Sequence, residues 1–186
     1  MTDDDFPLLL AGAQAGDDDA VRALYTDLHP RLLRFLLASE PRAAEDLAAE
    51  VWLAIAQGIG RFEGGYRDFA AWVFSIARRR LADHRRRAAR RRTDAATPES
   101  FEPIVDPVDN EQLAVGRVDG AAAAALISRL LPPAQAEVLL LRVLADLDVD
   151  HVAQLLGQTP NWVRVNQHRA IRRLATQLGT RLDVMP

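Results

Sequence analysis

Residues 130–178 read LLPPAQAEVLLLRVLADLDVDHVAQLLGQTPNWVRVNQHRAIRRLATQL, and the punctuation of this stretch admits few folds. A short helix is predicted from about Val149 to Leu156, with Val152, Ala153 and Leu156 at helical spacing. Gly157 can adopt the left-handed conformation that ends a helix. Thr159 is placed to cap the next helix, and Pro160 falls in its first turn, where a missing N–H costs nothing. That second helix carries Val163, Ala170, Ile171 and Leu174 on one face, with Asn161, Trp162, Arg164, Gln167, His168 and Arg169 around the rest. The pattern is a helix-turn-helix. Its second helix can present N-terminal side chains to base edges while arginines hold phosphates, so DNA is the expected partner.

A chain of 186 residues suffices for one ordinary domain or two small ones, and 49% apolar residues permit a true core. There is no cysteine, which excludes disulfides and thiolate chemistry. All 23 basic residues are arginine. The start is acidic (Asp3, Asp4, Asp5) and carries no secretory pattern, and no apolar run approaches the roughly 20 residues that cross a bilayer. No membrane insertion and a cytoplasmic location are expected. The net charge of −3 is at odds with nucleic-acid binding only until it is divided along the chain. Residues 1–92 hold 15 arginines against 14 carboxylates; 93–119 hold Arg117 against seven; 120–186 hold seven arginines against five. The acidity is concentrated in the middle, and local patches decide DNA contact.

The N-terminal block reads as helical throughout. Asp17 to Asp19 open a helix bearing Val21, Leu24, Tyr25, Leu28, Leu32, Phe35 and Leu36; Pro41 breaks it; Glu45 and Asp46 open another with Leu47, Val51, Trp52 and Ile55. Gly58, Gly60, Gly64 and Gly65 mark a loop around Phe62 and Tyr66. A long helix from about Asp68 carries Phe69, Trp72, Val73, Ile76, Ala77 and Leu81, then runs into RRRLADHRRRAARRR. Residues 93–119 bring Pro98, Pro103, Pro107 and scattered acids, the composition of a linker. Extended, its 27 residues reach about 90 Å, longer than the roughly 70 Å between DNA sites two helical turns apart. An Ala-rich helix over 120–131 follows, and Pro132 and Pro133 open the next, with Val138, Leu139, Leu141 and Leu144. The expected fold is all-α: two small helical domains, 1–92 and 120–186, joined by an acidic linker, 93–119.

Together, AEDLAAEVWLAI…RFEGGYRDFAAWVFSIARRRLADHRRR and LPPAQAEVLLLRVL…VAQLLGQTPNWVRVNQHRAIRRL resemble regions 2 and 4 of bacterial RNA polymerase sigma factors of the extracytoplasmic-function (ECF) class, within the sigma-70 family. The resemblance covers most of the chain, in the family's order, with a linker between. It implies a partner, core RNA polymerase, bound through the β′ clamp helices and the β flap. It implies recognition and melting of the −10 promoter element by the first half, recognition of the −35 element by the second, and an anti-sigma factor as a further partner. The linker acids Glu99, Glu102, Asp106 and Asp109 are expected in the positively lined channel near the polymerase active site.

Carried over residue by residue, the resemblance assigns Asp46, Glu50 and Trp52 to the polymerase face; Ala49 departs from the polar residue usual there. It assigns the loop from Phe62 to Asp68, with Gly64, Gly65, Tyr66 and Arg67, to capture of an unstacked −10 base, for which a flexible loop with polar and aromatic walls is the physical requirement. Arg78, Arg79, Arg85 and Arg86 are placed on promoter phosphates, so binding should fall with salt. Phe69 and Trp72 read as core. Thr159, Asn161, Trp162, Arg164, Val165, His168 and Arg169 fall where relatives meet the −35 duplex; Arg164 can donate to guanine or phosphate, and Val165 can touch a thymine methyl. Val165, Asn166 and Gln167 depart from the family's commoner pattern, so base preference does not transfer. No metal-spaced cluster, phosphate-cradling loop or nucleophile motif is present, so neither a catalytic role nor a cofactor nor a metal is expected. The alternatives are a helix-turn-helix regulator, which leaves RFEGGYRDFAAW without a purpose, and a sigma-like decoy that does not act with core polymerase.

Overall fold

The computed structural model describes residues 4–94 and 115–182, and among them all regular structure is helical. The helices are α1 (Phe6–Gln14), α2 (Asp18–Ser39), α3 (Ala44–Gly58), α4 (Tyr66–Asp94), α5 (Val115–Leu130), α6 (Pro133–Val143), α7 (Val149–Leu156) and α8 (Pro160–Leu182). Short 3-10 turns at Pro41–Ala43 and Ile59–Arg61 lead into α3 and out of it.

Helix α2 starts where its acids predict: Oδ1 of Asp17 accepts the N–H groups of Asp19 and Ala20, at 2.8 and 3.2 Å. It runs through Pro30 without ending. Leu24 and Leu28 before the proline, and Leu32, Phe35 and Leu36 after it, are all buried, and that packing outweighs the one backbone bond a proline removes. Each such burial contributes about 1.5–3 kcal/mol. Helix α1, which the sequence reading did not foresee, buries Phe6, Leu10 and Ala13 against the same core. Along α4 the expected stripe is buried at Phe69, Val73, Ile76, Ala77 and Leu81, while Trp72 is half-buried.

Helices α4 and α5 both reach into the stretch read as linker, ending at Asp94 and starting at Val115. The acids Glu99, Glu102, Asp106 and Asp109 lie outside the described residues. The two halves of the chain rest on one another: α5 packs along α2, α7 packs on α4, and one continuous apolar cluster holds residues of both halves.

In the C-terminal half, Oδ1 of Asp148 caps α7 by accepting from the N–H of Asp150 (3.0 Å) and of His151 (2.9 Å). Gly157 ends α7 at φ 63°, ψ 36°, and Oγ1 of Thr159 accepts from the N–H of Trp162 at 3.2 Å to start α8. Val163 and Ala170 are buried, but Ile171 is 51% exposed, a correction to its expected place in the core. At roughly 100° per residue, Ile171 stands about 80° round the helix from Val163, whereas Ala170 and Leu174 stay within about 20° of it. A Cβ at Gly157 would meet no atom within 4 Å, so the glycine is needed only for its backbone angle. Gly157→Ala should therefore cost about 1–2 kcal/mol, read as a lower denaturant midpoint at unchanged slope.

Candidate nucleic-acid interface

The start of α8 is the most exposed polar surface of the helix-turn-helix. Thr159, Asn161, Arg164, His168 and Arg169 are exposed, and Val165 is 37% exposed beside them. Trp162 is half-buried and packs against the core from the same turn. Asn166 and Gln167 are turned to internal bonds: Nδ2 of Asn166 donates to the Trp162 carbonyl (3.0 Å), and Oε1 of Gln167 accepts from Nε of Arg142 (3.2 Å). The helix thus presents one side of its first turns, fixed from beneath by Val163 and at its entry by the Thr159 cap.

The loop between α3 and α4 is shaped from three directions. Oδ2 of Asp68 accepts the Gly65 N–H at 2.9 Å. Gly64 has φ 142°, and a Cβ there would stand 2.9 Å from the Asp68 Cβ, so both angle and space call for glycine. Nε2 of Gln14, from α1, donates to the carbonyls of Ile59 (3.0 Å) and Phe62 (2.9 Å). Phe62 is half-buried, stacked on Trp72 at 5.3 Å and edge-on to Phe69 at 5.2 Å. The Tyr66 ring meets Phe6 edge-on at 5.7 Å; its hydroxyl donates to Oδ2 of Asp27 and accepts from Nη1 of Arg31 at 2.6 Å. Burial, helped by the Asp27 carboxylate, pushes the Tyr66 phenol up to about 12. Tyr66 is therefore a neutral hydrogen-bonding wall of the loop's base.

The arginines of α4 divide by partner. Arg79 is exposed; Arg85 donates to Oε1 of Glu40 (2.8 Å) and to the Ser39 carbonyl (3.1 Å); Arg86 pairs with Asp83 one turn before it. Arg67 and Arg78 face the C-terminal half instead. Arg67 stands 3.7 Å from Asp148, while Arg78 donates through Nε to Oε1 of Glu137 and through Nη1 to the Leu155 carbonyl, each at 2.7 Å. Beside them, Nε2 of His151 lies 3.0 Å from Oδ1 of Asp68, and its Nδ1 lies 2.9 Å from Oδ1 of Asp148. Partial burial works against a charge on His151, but the hydrogen bond to Asp68 and the nearness of the Asp148 carboxylate outweigh it and the net shift is upward. Asp68 is held below the ordinary carboxylate range by His151 first and the Gly65 N–H second. Asp148 is held low chiefly by the His151 backbone N–H.

On the far side of α3, Asp46, Glu50 and Leu53 share a face at helical spacing; Asp46 is exposed and Leu53 is 61% exposed. Glu50 also reaches Arg80 (3.8 Å) and Arg87 (3.9 Å) of α4. Trp52 is half-buried, its Nε1 donating to Nδ1 of His29 at 3.2 Å and its ring 4.8 Å from Tyr25.

Two family models match the chain: sigma-70 region 2 over residues 24–91 and sigma-70 region 4 over residues 125–174. ShbA of Streptomyces griseus, an ECF RNA polymerase sigma factor, is 37% identical over 89% of this chain and 91% of its own length. The chain belongs to the ECF sigma factors. SigD of Mycobacterium tuberculosis, also an ECF RNA polymerase sigma factor, is 33% identical over 91% of this chain and 82% of its own. Two solved structures share the fold of this sigma factor. RpoE of Bartonella quintana, in complex with the anti-sigma factor NepR, has a TM-score of 0.63 at 21% identity and covers 85% of this chain and 96% of its own. CnrH, in complex with the cytosolic domain of CnrY, has a TM-score of 0.60 at 19% identity and covers 93% and 96%.

The region 2 match spans Asp46, Glu50 and Trp52, the 62–68 loop and the α4 arginines; the region 4 match spans the helix-turn-helix. The sequence reading of this sigma factor missed Gln14, Asp148 and His151. Asp148 precedes a helix with its N–H groups in reach, a signal that local sequence carries; Gln14 and His151 act across 45 or more residues and have no local signature. Among the described residues no helix is long and apolar enough to cross a membrane.

Proposed function

We propose that this chain lends promoter choice to core RNA polymerase, reading a −35 element with α8 and helping to open a −10 element with the 62–68 loop and α4. The carrying observation is that one chain presents both surfaces: an exposed Arg164–Val165–His168–Arg169 strip on a capped helix-turn-helix, and a glycine-shaped loop leading into an arginine-lined helix. Arg164 and Arg169 supply groove and phosphate contacts; Gly64 and Gly65 let the loop accept an unstacked base above the Phe62–Trp72 stack; Arg79, Arg85 and Arg86 neutralise phosphates. The face formed by Asp46, Glu50 and Leu53 is the polymerase contact, an apolar centre flanked by carboxylates that suits arginines of the clamp. The chain itself performs no chemistry; the polymerase does, in the cytoplasm. An anti-sigma protein is a further partner, as for the Bartonella RpoE.

The test is transcription in vitro from a promoter library, with core polymerase alone and with the purified chain added. Discrete start sites that depend on the chain are expected. Stable binding to duplex operators as a dimer, with no effect on core polymerase, would instead make the chain an ordinary regulator.

A further inference from the structure

The contacts between the two halves engage the residues that the promoter needs. Arg78 is taken up by Glu137 and the Leu155 carbonyl, Arg67 stands against Asp148, and Arg31, which bonds the Tyr66 hydroxyl, also donates through Nε to the Leu144 carbonyl at 2.7 Å. Helix α7 consequently lies over the first turns of α4, with His151, Gln154 and Leu155 facing Asp68, Trp72 and Ser75 across a small cleft. With α7 on that side Arg78 is occupied and the approach along the first turns of α4 is narrowed, while Gly64 and Gly65 of the loop stay exposed.

We propose that the C-terminal half is an internal inhibitor of the −10 surface, latched by His151 between Asp68 of α4 and Asp148 at the start of α7, and that raising the pH releases it. The inhibitory role rests on the initiation function proposed above; the latch itself does not. Two carboxylates from different elements converge on one imidazole, which is the arrangement that favours an imidazolium. The other charged group facing this cluster is Arg67, on Asp148; a few turns further along α4 stands the Arg78–Glu137 pair, and the remaining neighbours Trp72, Ser75 and Gln154 are neutral. All of these pairs are partly exposed and individually weak, so the balance between closed and open forms is within reach of a single protonation.

The sign follows from linkage. The His151 pKa is raised in the closed form, so its contribution to closure is complete below the ordinary histidine value and is lost as pH rises through the raised one. Asp68 and Asp148 are lowered, so their contribution is lost only on strong acidification, as pH falls through their depressed values. Closure is therefore strongest between those limits and loosens on the alkaline side.

The full chain contains no cysteine, so Arg42→Cys and Gln158→Cys place one spin label on each half at exposed positions outside the contacts above. Pulsed electron spin resonance is then recorded at about pH 6 and about pH 8.5, either side of the ordinary histidine pKa. A single short separation is expected at the lower pH, with a second, longer population growing at the higher. His151→Gln should show the longer population at both. Asp148→Asn, which keeps a capping side chain and removes the charge, should do the same should the first variant fold poorly. Unchanged separations in the parent, or a parental pH response surviving in both variants, would overturn the latch.

Binding of His151→Gln to mixed-sequence single-stranded DNA at the lower pH should be severalfold tighter than that of the parent; equal affinities would overturn the inhibitory role. The label measurement needs neither DNA nor polymerase. A pH-dependent separation without any start-site selection would therefore support the latch and count only against the initiation reading.

Discussion

Phe35→Ala is expected to cost about 3–5 kcal/mol, the largest stability loss from any single truncation considered for this chain. Phe35 is 1% exposed, meets Phe74 edge-on with ring centroids 5.4 Å apart, and stands beside Leu81 of α4 and Leu140 of α6. It sits where α2, α4 and α6 converge, in the apolar cluster that holds residues of both halves. Against a typical total of about 5–15 kcal/mol, that is roughly a fifth or more of the stability. Equilibrium unfolding in urea should show the midpoint falling sharply. Phe62→Ala provides the contrast: the half-buried ring removes less surface from water and its loss should be distinctly smaller. A Phe35 cost no larger than that of Phe62 would mean that the core does not run between the halves as described.

Arg164→Ala is expected to weaken promoter binding through the upstream element by about ten- to a hundredfold, corresponding to roughly 1–3 kcal/mol for a bidentate base contact. Arg164 is exposed one turn into α8, on a helix whose entry is fixed by the Thr159 cap and whose underside is fixed by Val163, so its direction is set before DNA arrives. The measurement that separates its two possible roles is binding to promoter variants over a salt series. A base contact loses discrimination at one position of the element. A phosphate contact weakens all sequences alike and lowers the salt slope by about one. No change in either would remove Arg164 from the interface.

The helix-turn-helix was legible because its signals are local. Gly157, Thr159 and Pro160 act within a few residues of themselves, and the structure places α7 and the start of α8 where they require. The α4 stripe was legible for a similar reason, since six residues of period 3.6 identify a face. What the sequence did not reveal is which face meets which. Arg78 reads equally well as a phosphate ligand or as the partner of Glu137, because only the fold brings residue 137 to it. Ile171 failed for a geometric reason: it adjoins Ala170 in sequence, yet α8 buries only a narrow line through Val163, Ala170 and Leu174. Helix α1 went unread because nine residues offer little more than two turns of pattern, flanked by acids that suggest a solvated tail.

That short first helix lies wholly before residue 24, where the region 2 match begins. Yet its Gln14 amide ties down two carbonyls at the entrance of the loop, and its Phe6 ring lies 5.7 Å from Tyr66 and 5.4 Å from Phe69. A fragment trimmed to the family boundary would keep every residue assigned to the promoter while removing the brace that sets their pose. Proteolytic nicking near the amino terminus would then be felt as a misplaced loop as well as a weakened core.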